Sequence, residues 1–595
     1  MLKSYWKLAL AVMVSLMAAS CDKNKPEEKD NVVINGTSEV VFTMEDTADK
    51  TVVFNSTDDW TLSYDADWFT VTPVTGVAGE NVTVTVSLEE LESDVERTAK
   101  VVVTAGVAVA EFSVKQEAVV YAESFTIQGN HRVVVDYTTP LTVVPAPANG
   151  KLAAVTYASS DPAVATVDED GVVTAVAVGE ATVTVTAGEL VQEFWVEVTE
   201  EFITDGVGRT YTFADLAAIE YSGVVKEGDA YVITADWDLS ETDVWTLGDA
   251  KRVIFNDGVR VYVYGMVDFA ATEEVVFTAA EDAVPDPIYF SGDVEGSGVF
   301  KNMTLNAIPV RYFGVKDMTI ENCKFTGITD REPCINLGGD GLVTVSNCEF
   351  IENAYPAIVG AANITTPLIF QDNYLYKNSA DASNRPQINV TVAGDGICKI
   401  LNNTVIGPAE ITKNGGIAVS NLMGLSGTNK VEISGNKVSD CRYGITLNGV
   451  MDAVINDNIL KNNCYESNPN NGGSGVSLYN SNGGMVVYMS GNHIEGHLWG
   501  ITNIGNTTKG TGPVLNMGNL TEGDDYNPGG NVFINNGNND VLYDLYNNTP
   551  LDVMAQGNTW NVAVQDEASI EEVIVHKKDN EALGLVTFMP AASAE

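Results

Sequence analysis

A six-residue pattern, φ-x-x-N-x-φ with φ apolar, recurs ten times between residues 300 and 560 and constrains the fold more than any other feature of the chain. It runs through Phe300 to Leu305, Ile320 to Phe325, Val345 to Phe350, Phe370 to Leu375, Ile400 to Val405, Ile433 to Val438, Ile455 to Leu460 and Met489 to Ile494. Gly529 to Phe533 and Ala555 to Trp560 complete the series. A period of roughly 20 to 30 residues with one turn-forming polar residue per repeat marks a solenoid. The fourth position is Met303, Cys323 and Cys348, then Asn373, Asn403, Asn436, Asn458, Asn492, Asn531 and Asn558. Stacked at one corner, these amides can hydrogen-bond from coil to coil and satisfy polar groups the interior would otherwise strand. The ladder therefore reads as architecture. Cys323 and Cys348 share that rung on adjacent coils, about 4.8 Å apart if stacked; stacked thiols and a disulfide both fit.

The spacing of the ladder is uneven: 25 residues from 323 to 348 and from 348 to 373, then 30, 33, 22, 34 and 39 for the next five intervals. The excess must leave the coils as loops, and loops on a solenoid tend to wall a groove. The functional face is expected there. The loop stretches hold Arg385, Tyr465, Glu466, Tyr479, Trp499, Asp524, Asp525 and Tyr526. Aromatic rings can stack on sugar faces while carboxylates and amides take the hydroxyls, which suits an extended glycan; the competing role for each ring is packing of its own loop.

Enzymatic readings meet chemical obstacles. A lyase needs a base and a neutraliser of the uronate carboxylate, and the available arginines, Arg385 beside Asp381 and Arg331 between Asp330 and Glu332, read as surface ion pairs. Hydrolysis needs two carboxylates at a fixed separation, and Asp524-Asp525 alone says little. His493 and His497 sit on a strand and turn, where four-residue spacing does not juxtapose side chains, so no metal site is expected. The cysteines from 323 to 464 show no metal-ligand spacing either. No cofactor is implied; Ca²⁺ would serve only the lyase alternative.

Before the solenoid the pattern alternates with period two. Residues 32–120 and 121–200 each read as a small β-sandwich, with turn signals every ten or so residues. Trp60, Trp68, Pro73, Gly76, Gly79, Arg97 and the closing Val114-Lys115-Gln116 resemble the BACON domain, a family tied to carbohydrate enzymes. Ala158 to Asp168 and Gly171 to Val183 resemble a bacterial Ig-like group 2 domain, which implies a stalk; Asp170-Gly171 is its hairpin turn. The repeat itself resembles the pectate-lyase-like right-handed parallel β-helix. The expected class is all-β: two sandwiches, an N-terminal cap over 201–250 with Trp237 and Trp245, a right-handed parallel β-helix over 251–565, and a C-terminal cap over 566–595.

At the N-terminus, Lys3 and Lys7 precede the apolar run Leu8 to Met17 and Ala18-Ala19-Ser20-Cys21, a signal segment over 1–21. It resembles a lipobox, which implies lipidation at Cys21; cleavage by the ordinary signal peptidase is the alternative. Residues 22–31 suit a solvated tether. Acidic residues after Cys21 resemble the surface-export signal of Gram-negative lipoproteins, implying an outer-membrane anchor facing outward. With 81 acidic and 32 basic residues the net charge of -49 repels phosphate backbones and excludes a nucleic-acid partner. The leading expectation is a surface lipoprotein that binds polysaccharide in a loop-walled groove. A lyase or hydrolase using that groove, and an adhesin or structural surface protein, are the alternatives.

Overall fold

The structure is a computed structural model that describes residues 31–592 apart from 45, 292–295, 330–331, 361–365, 382–383, 392–395, 409 and 422–429. The signal segment with Cys21, most of the tether, and the Asp330-Arg331 pair lie outside the described residues. Contacts divide the chain into two compact units, one holding residues up to 128 with 142–157 and 184–192, the other holding 129–141, 158–183 and 193–595. Among the described residues the only helices are two five-residue turns, Phe213–Ala217 and Glu567–Glu571.

In the first unit a four-stranded sheet orders Val32–Asn35, Lys50–Ser56, Gly79–Leu88 and Phe69–Thr72. A five-stranded sheet holds Glu39–Phe42, Ala108–Gln116, Arg97–Ala105, Trp60–Tyr64 and Thr75–Gly76. Alternate residues of both are buried, as period-two strands with one dry face require. Trp60 is a core residue, edge-on to Phe54 with ring centres 5.0 Å apart. Trp68 carries the Arg97 guanidinium 4.8 Å from its ring centre, and Arg97 Nε donates to Gln116 Oε1 at 2.9 Å. Gln116 Nε2 in turn donates to Glu90 O and Leu91 O. These residues pin strands together.

In the second unit Asp168 Oδ1 accepts from the N–H groups of Asp170 and Val172, closing the turn at Gly171, whose φ of 79° favours glycine. From Phe202 onward the described strands form a stack of coils paired in parallel, apart from the antiparallel pairs Val224–Glu227 with Ala230–Ile233 and Gly537–Asn538 with Val541–Leu542. One face is a 14-stranded sheet running from Phe202–Ile203 to Ile574–Val575, and a 25-stranded sheet supplies the two strands each coil adds before its return. Parallel pairing therefore begins well before residue 251, because the segment expected as a cap forms coils of its own: Phe202↔Trp237 and Tyr211↔Trp245 are register partners. Trp237 and Trp245, fully buried, pack edge-on at 4.7 Å and fill the end of the core. At the other end Val586–Thr587 pairs with Val553–Met554, and Trp560 stacks on Phe533 at 5.1 Å. Both terminal segments cover apolar interior and sheet edges that a bare solenoid would expose.

The repeat has a geometric cause at each position. Its first and last apolar residues form inward rows such as Ile320, Val345, Phe370, Ile400, Ile433, Ile455 and Met489, all buried. The third residue turns the corner in the left-handed region, at Asn302, Asn322, Asn347, Asp372, Asn402 and Asp457 and at Gly435, Gly491, Gly530 and Gly557. Asn, Asp and Gly tolerate that conformation best. The fourth residue points inward. From Asn373 to Asn558 each Nδ2 donates to the Oδ1 of the next rung at 2.8 to 3.0 Å, and that Oδ1 also accepts the backbone N–H of the same preceding rung. Cys348 N–H donates to Asn373 Oδ1 at 2.9 Å, and Cys323 N–H reaches Cys348 Sγ at 3.4 Å. These two thiols are stacked and free.

Five residues after each rung, a second inward file forms at the next corner. Asn353 Nδ2 donates to Asn378 Oδ1 at 2.8 Å, and Asn378 Nδ2 to Gln387 Oε1 at 3.1 Å. Farther along, Cys441 N–H donates to Asn463 Oδ1, Asn463 Nδ2 meets His497 Nε2 at 3.2 Å, His497 Nδ1 meets Asn536 Oδ1 at 3.1 Å, and Asn536 Nδ2 donates to Asp544 Oδ1 at 3.3 Å. Among the described cysteines only Cys464 is partly exposed, while burial pushes the Cys398 and Cys441 thiols up to about 12. Since the thiolate is the reactive form, brief iodoacetamide treatment of the folded protein is expected to alkylate Cys464 among these six. Peptide mass mapping that finds Cys398 or Cys441 modified equally fast contradicts the packing.

Candidate functional site

The strands of the 14-stranded sheet are short and read apolar-polar-apolar, so their middle residues face outward. Register places these in one file: Asp238, Tyr262, Tyr289, Arg311, Asn336, Val359, Asn389, Ala418, Thr446, Ser477, Thr502 and Tyr546. A parallel row two residues on holds Ser420, Asn448, Tyr479, Ile504 and Asn548. Over residues 384–548 the file forms the floor of a cleft of about 740 Å³.

Two inserts wall it. Asn384 comes from one, just before the strand that begins at Pro386, and Pro469, Asn470, Asn471 and Gly472 from the next, before the strand Ser474–Tyr479. Arg442 ties them together, its guanidinium donating to Asn384 Oδ1 and to the Asn471 carbonyl. Trp499 closes one side. Its ring lies against Tyr543 at 4.7 Å and Tyr546 at 5.1 Å, and its Nε1 donates to Pro469 O at 2.9 Å. With its polar edge bound and its orientation fixed, the ring enters the cleft as a rigid apolar wall. Amides and hydroxyls make up most of the rest, Asn389, Ser420, Thr446, Asn448, Ser474, Ser477, Thr502 and Asn548, with Ala418, Tyr443 and Ile504 between them. Among the described residues no Asp or Glu lines this cleft, although the chain carries 81 of them.

Of the loop residues singled out from sequence, Trp499 alone lines the cleft. Arg385 turns away between its lining neighbours, stacking on Tyr355 at 4.2 Å and lying 3.7 Å from Asp381. Tyr479 stands exposed on the neighbouring row. Tyr465 directs its hydroxyl to Asp440 at 3.4 Å, and Glu466 accepts from Asn468 N–H within its own loop. Asp524, Asp525 and Tyr526 belong to a different part of the stack. Their insert leaves the ladder corner between two strands of the 25-stranded sheet, Val514–Asn516 and Val532–Ile534, and Asp525 accepts from Tyr488 on that sheet. The inserts thus do not gather on a single side.

Two histidine features resemble metal sites and are built otherwise. His493 is half-exposed and held by Glu495 at 2.7 Å, whereas His497 faces the interior. Glu571, His576 and Asp579 lie close together. His576 Nδ1 accepts from Val586 N–H at 2.9 Å, so Nε2 carries the proton and gives it to Glu571 Oε1 at 2.7 Å. That leaves the ring no lone pair for an ion and makes it a clasp of the last coil.

Residues 58–117 match the BACON family model, described as "Putative binding domain, N-terminal", and residues 121–198 match the Bacterial Ig-like domain (group 2). The chain carries both modules. No curated protein matches it. Among solved structures, a Bacteroides ovatus GH5 xyloglucanase in complex with a XXXG heptasaccharide is similar at 19% identity over 18% of this chain and 22% of that one, with a TM-score of 0.14. The S-layer protein rSbsC(31-844) is similar at 16% identity over 29% and 28%, with a TM-score of 0.21. The chain spans about a quarter of the length of these two proteins, and overlaps of that size carry no argument about its fold or activity.

Proposed function

We propose that this protein is an exported, lipid-anchored surface protein whose β-helix binds an extracellular polysaccharide of neutral sugars in the cleft over residues 384–548. One observation carries the reading: in a strongly acidic chain, the described wall of this cleft is mainly amide, hydroxyl and aromatic, without a carboxylate, and its one guanidinium, that of Arg442, is engaged by Asn384 Oδ1 and the Asn471 carbonyl. Neutral hydrogen-bonding groups around a fixed aromatic ring match a sugar's alternation of hydroxyls and apolar ring faces. The same observation weighs against hydrolysis in the cleft, which calls for a carboxylate pair. The BACON and Ig-like modules and the tether fit as spacers between the cleft and the membrane, with Cys21 as the anchor.

Affinity electrophoresis of the described chain through gels loaded with xyloglucan, galactomannan, arabinan or β-glucan tests this. Retardation is expected in at least one gel without new reducing ends. Trp499→Ala and Tyr546→Ala are each expected to weaken it about tenfold or more, the worth of an aromatic contact. Migration that is unretarded in every gel, or insensitive to both substitutions, removes the cleft assignment; new reducing ends or unsaturated products turn it into an enzyme.

A further inference from the structure

Toward the other end of the same file the outward residues change from small and polar to aromatic and cationic. Tyr262 and Tyr289 are register partners with ring centres 4.9 Å apart, and Phe313 stacks on Tyr289 at 5.7 Å. Arg260 lies over Tyr262 at 4.9 Å and Arg311 over Tyr289 at 5.7 Å. Each guanidinium is anchored by acid: Arg260 by Asp236 at 3.0 Å and Glu201 at 3.8 Å, Arg311 by Glu332. Pro285, Pro287 and Pro309 close the remaining sides of a pocket of about 150 Å³.

We propose that this pocket is a second saccharide subsite, separate from the cleft, that takes a single neutral sugar residue such as a chain end or side branch. Its size decides the first part. At about 10–15 Å³ of such space for one water it exceeds a single water several-fold, yet it is about a fifth of the cleft's 740 Å³, room for one sugar ring rather than a chain. Its charge decides the second: Arg260 and Arg311 line it together with Asp286 and Glu332, and Arg260 is paired in addition with Asp236 and Glu201. An anion would meet surplus negative charge, whereas hydroxyls can accept from guanidinium N–H groups and donate to carboxylates at once. Tyr262 and Tyr289 supply the face on which the apolar side of the ring rests. From Tyr289 to Asn389 there are four strand steps, roughly 19 Å, so pocket and cleft occupy one surface and can hold one branched polymer.

The inference rests on the carbohydrate reading of this face but is tested apart from it. Saturation-transfer NMR on the described chain would use methyl glycosides of glucose, galactose, mannose, xylose and arabinose as probes. At least one is expected to show transfer that falls about tenfold in Tyr289→Ala and in Glu332→Gln, the loss of one ring contact or one charge-assisted hydrogen bond, and that persists in Trp499→Ala. Tyr289 and Glu332 are partly exposed, and unchanged melting temperatures verify that both variants fold. No transfer from any probe to the wild type, or transfer that survives both pocket substitutions, overturns the subsite. Loss of gel retardation in Trp499→Ala with glycoside transfer intact leaves pocket and cleft both standing, and an absence of retardation in the wild type with transfer at Tyr289 removes the cleft alone.

Discussion

Asn458→Ala is expected to destabilise the β-helix by about 4 kcal/mol, read as a lowered midpoint of guanidinium unfolding. Asn458 is fully buried. Its Oδ1 accepts both the backbone N–H and the Nδ2 of Asn436 at 3.0 Å, and its Nδ2 donates to Ile433 O at 2.8 Å and to Asn492 Oδ1 at 2.9 Å. Alanine leaves two donors without an acceptor and takes a donor from two oxygens, at about 1–3 kcal/mol for each buried group left unsatisfied, partly relieved by relaxation. An outward pair is the contrast. Lys399 and Glu432 lie 3.3 Å apart, each about two-fifths exposed, and Lys399→Ala is expected to cost less than about 0.5 kcal/mol. Equal effects for the two substitutions would mean that the amide file does not hold the coils together.

Two titratable groups in the second file should oppose each other in pH dependence. Burial pulls the His497 imidazole down to about 4 against the effect of its bond to Asn536, and pushes the Asp544 carboxyl up to about 7 against bonds from Asn561 N–H and Asn536. For His497 the unfolded chain binds the proton more tightly. Its contribution is present above the unfolded value near 6.5 and is lost as pH falls toward 4. For Asp544 the folded chain binds the proton more tightly. Its contribution is complete below the unfolded value near 3.8 and is lost as pH rises through about 7. Each is worth on the order of 3–4 kcal/mol across its window, and between pH 4 and 6.5 the slopes largely cancel. Single substitutions unmask them. Relative to the wild type, His497→Gln should lose stability as pH rises from 4 to 6.5, and Asp544→Asn should gain it from 4 to 7. Unfolding curves at four pH values that stay parallel to the wild type for both variants would show that neither group is titrating inside the fold.

The first amide file was legible because one residue type recurs at one place in the repeat, from Asn373 to Asn558, and only a corner needing polar satisfaction explains that. The second was not. Its positions, five residues later, hold Ile308 and Ile328 in the early coils, then Asn353 and Asn378, then Cys441, Asn463, His497 and Asn536. A file that changes from apolar to polar along the stack has no single-letter signature. The N-terminal segment gave no such signal for a related reason: the strands from Phe202 to Trp245 lack the repeat's Asn, yet Phe202–Ile203 and Thr210–Thr212 pair in parallel with Trp237–Leu239 and Val244–Thr246.

What the sequence determined by itself was the coil: recurring apolar residues set inward rows, and a buried amide at each rung demands another above and below, whereas the left-handed corner one residue before each rung is seen only in the structure. The sequence also marked which intervals of the ladder carry excess chain, 373–403, 403–436, 458–492 and 492–531. Which side each insert faces was decided only by the tertiary structure, since a coil has several corners and the direction of exit depends on the strand that the insert follows. Inserts before strands of the 14-stranded sheet brought Asn384 and Pro469–Gly472 to the cleft that Trp499 lines, while the insert holding Asp524, Asp525 and Tyr526 left at the ladder corner. Likewise Arg260, Tyr262, Tyr289 and Arg311 are up to 51 residues apart in sequence and meet because register stacks successive coils a few ångströms apart.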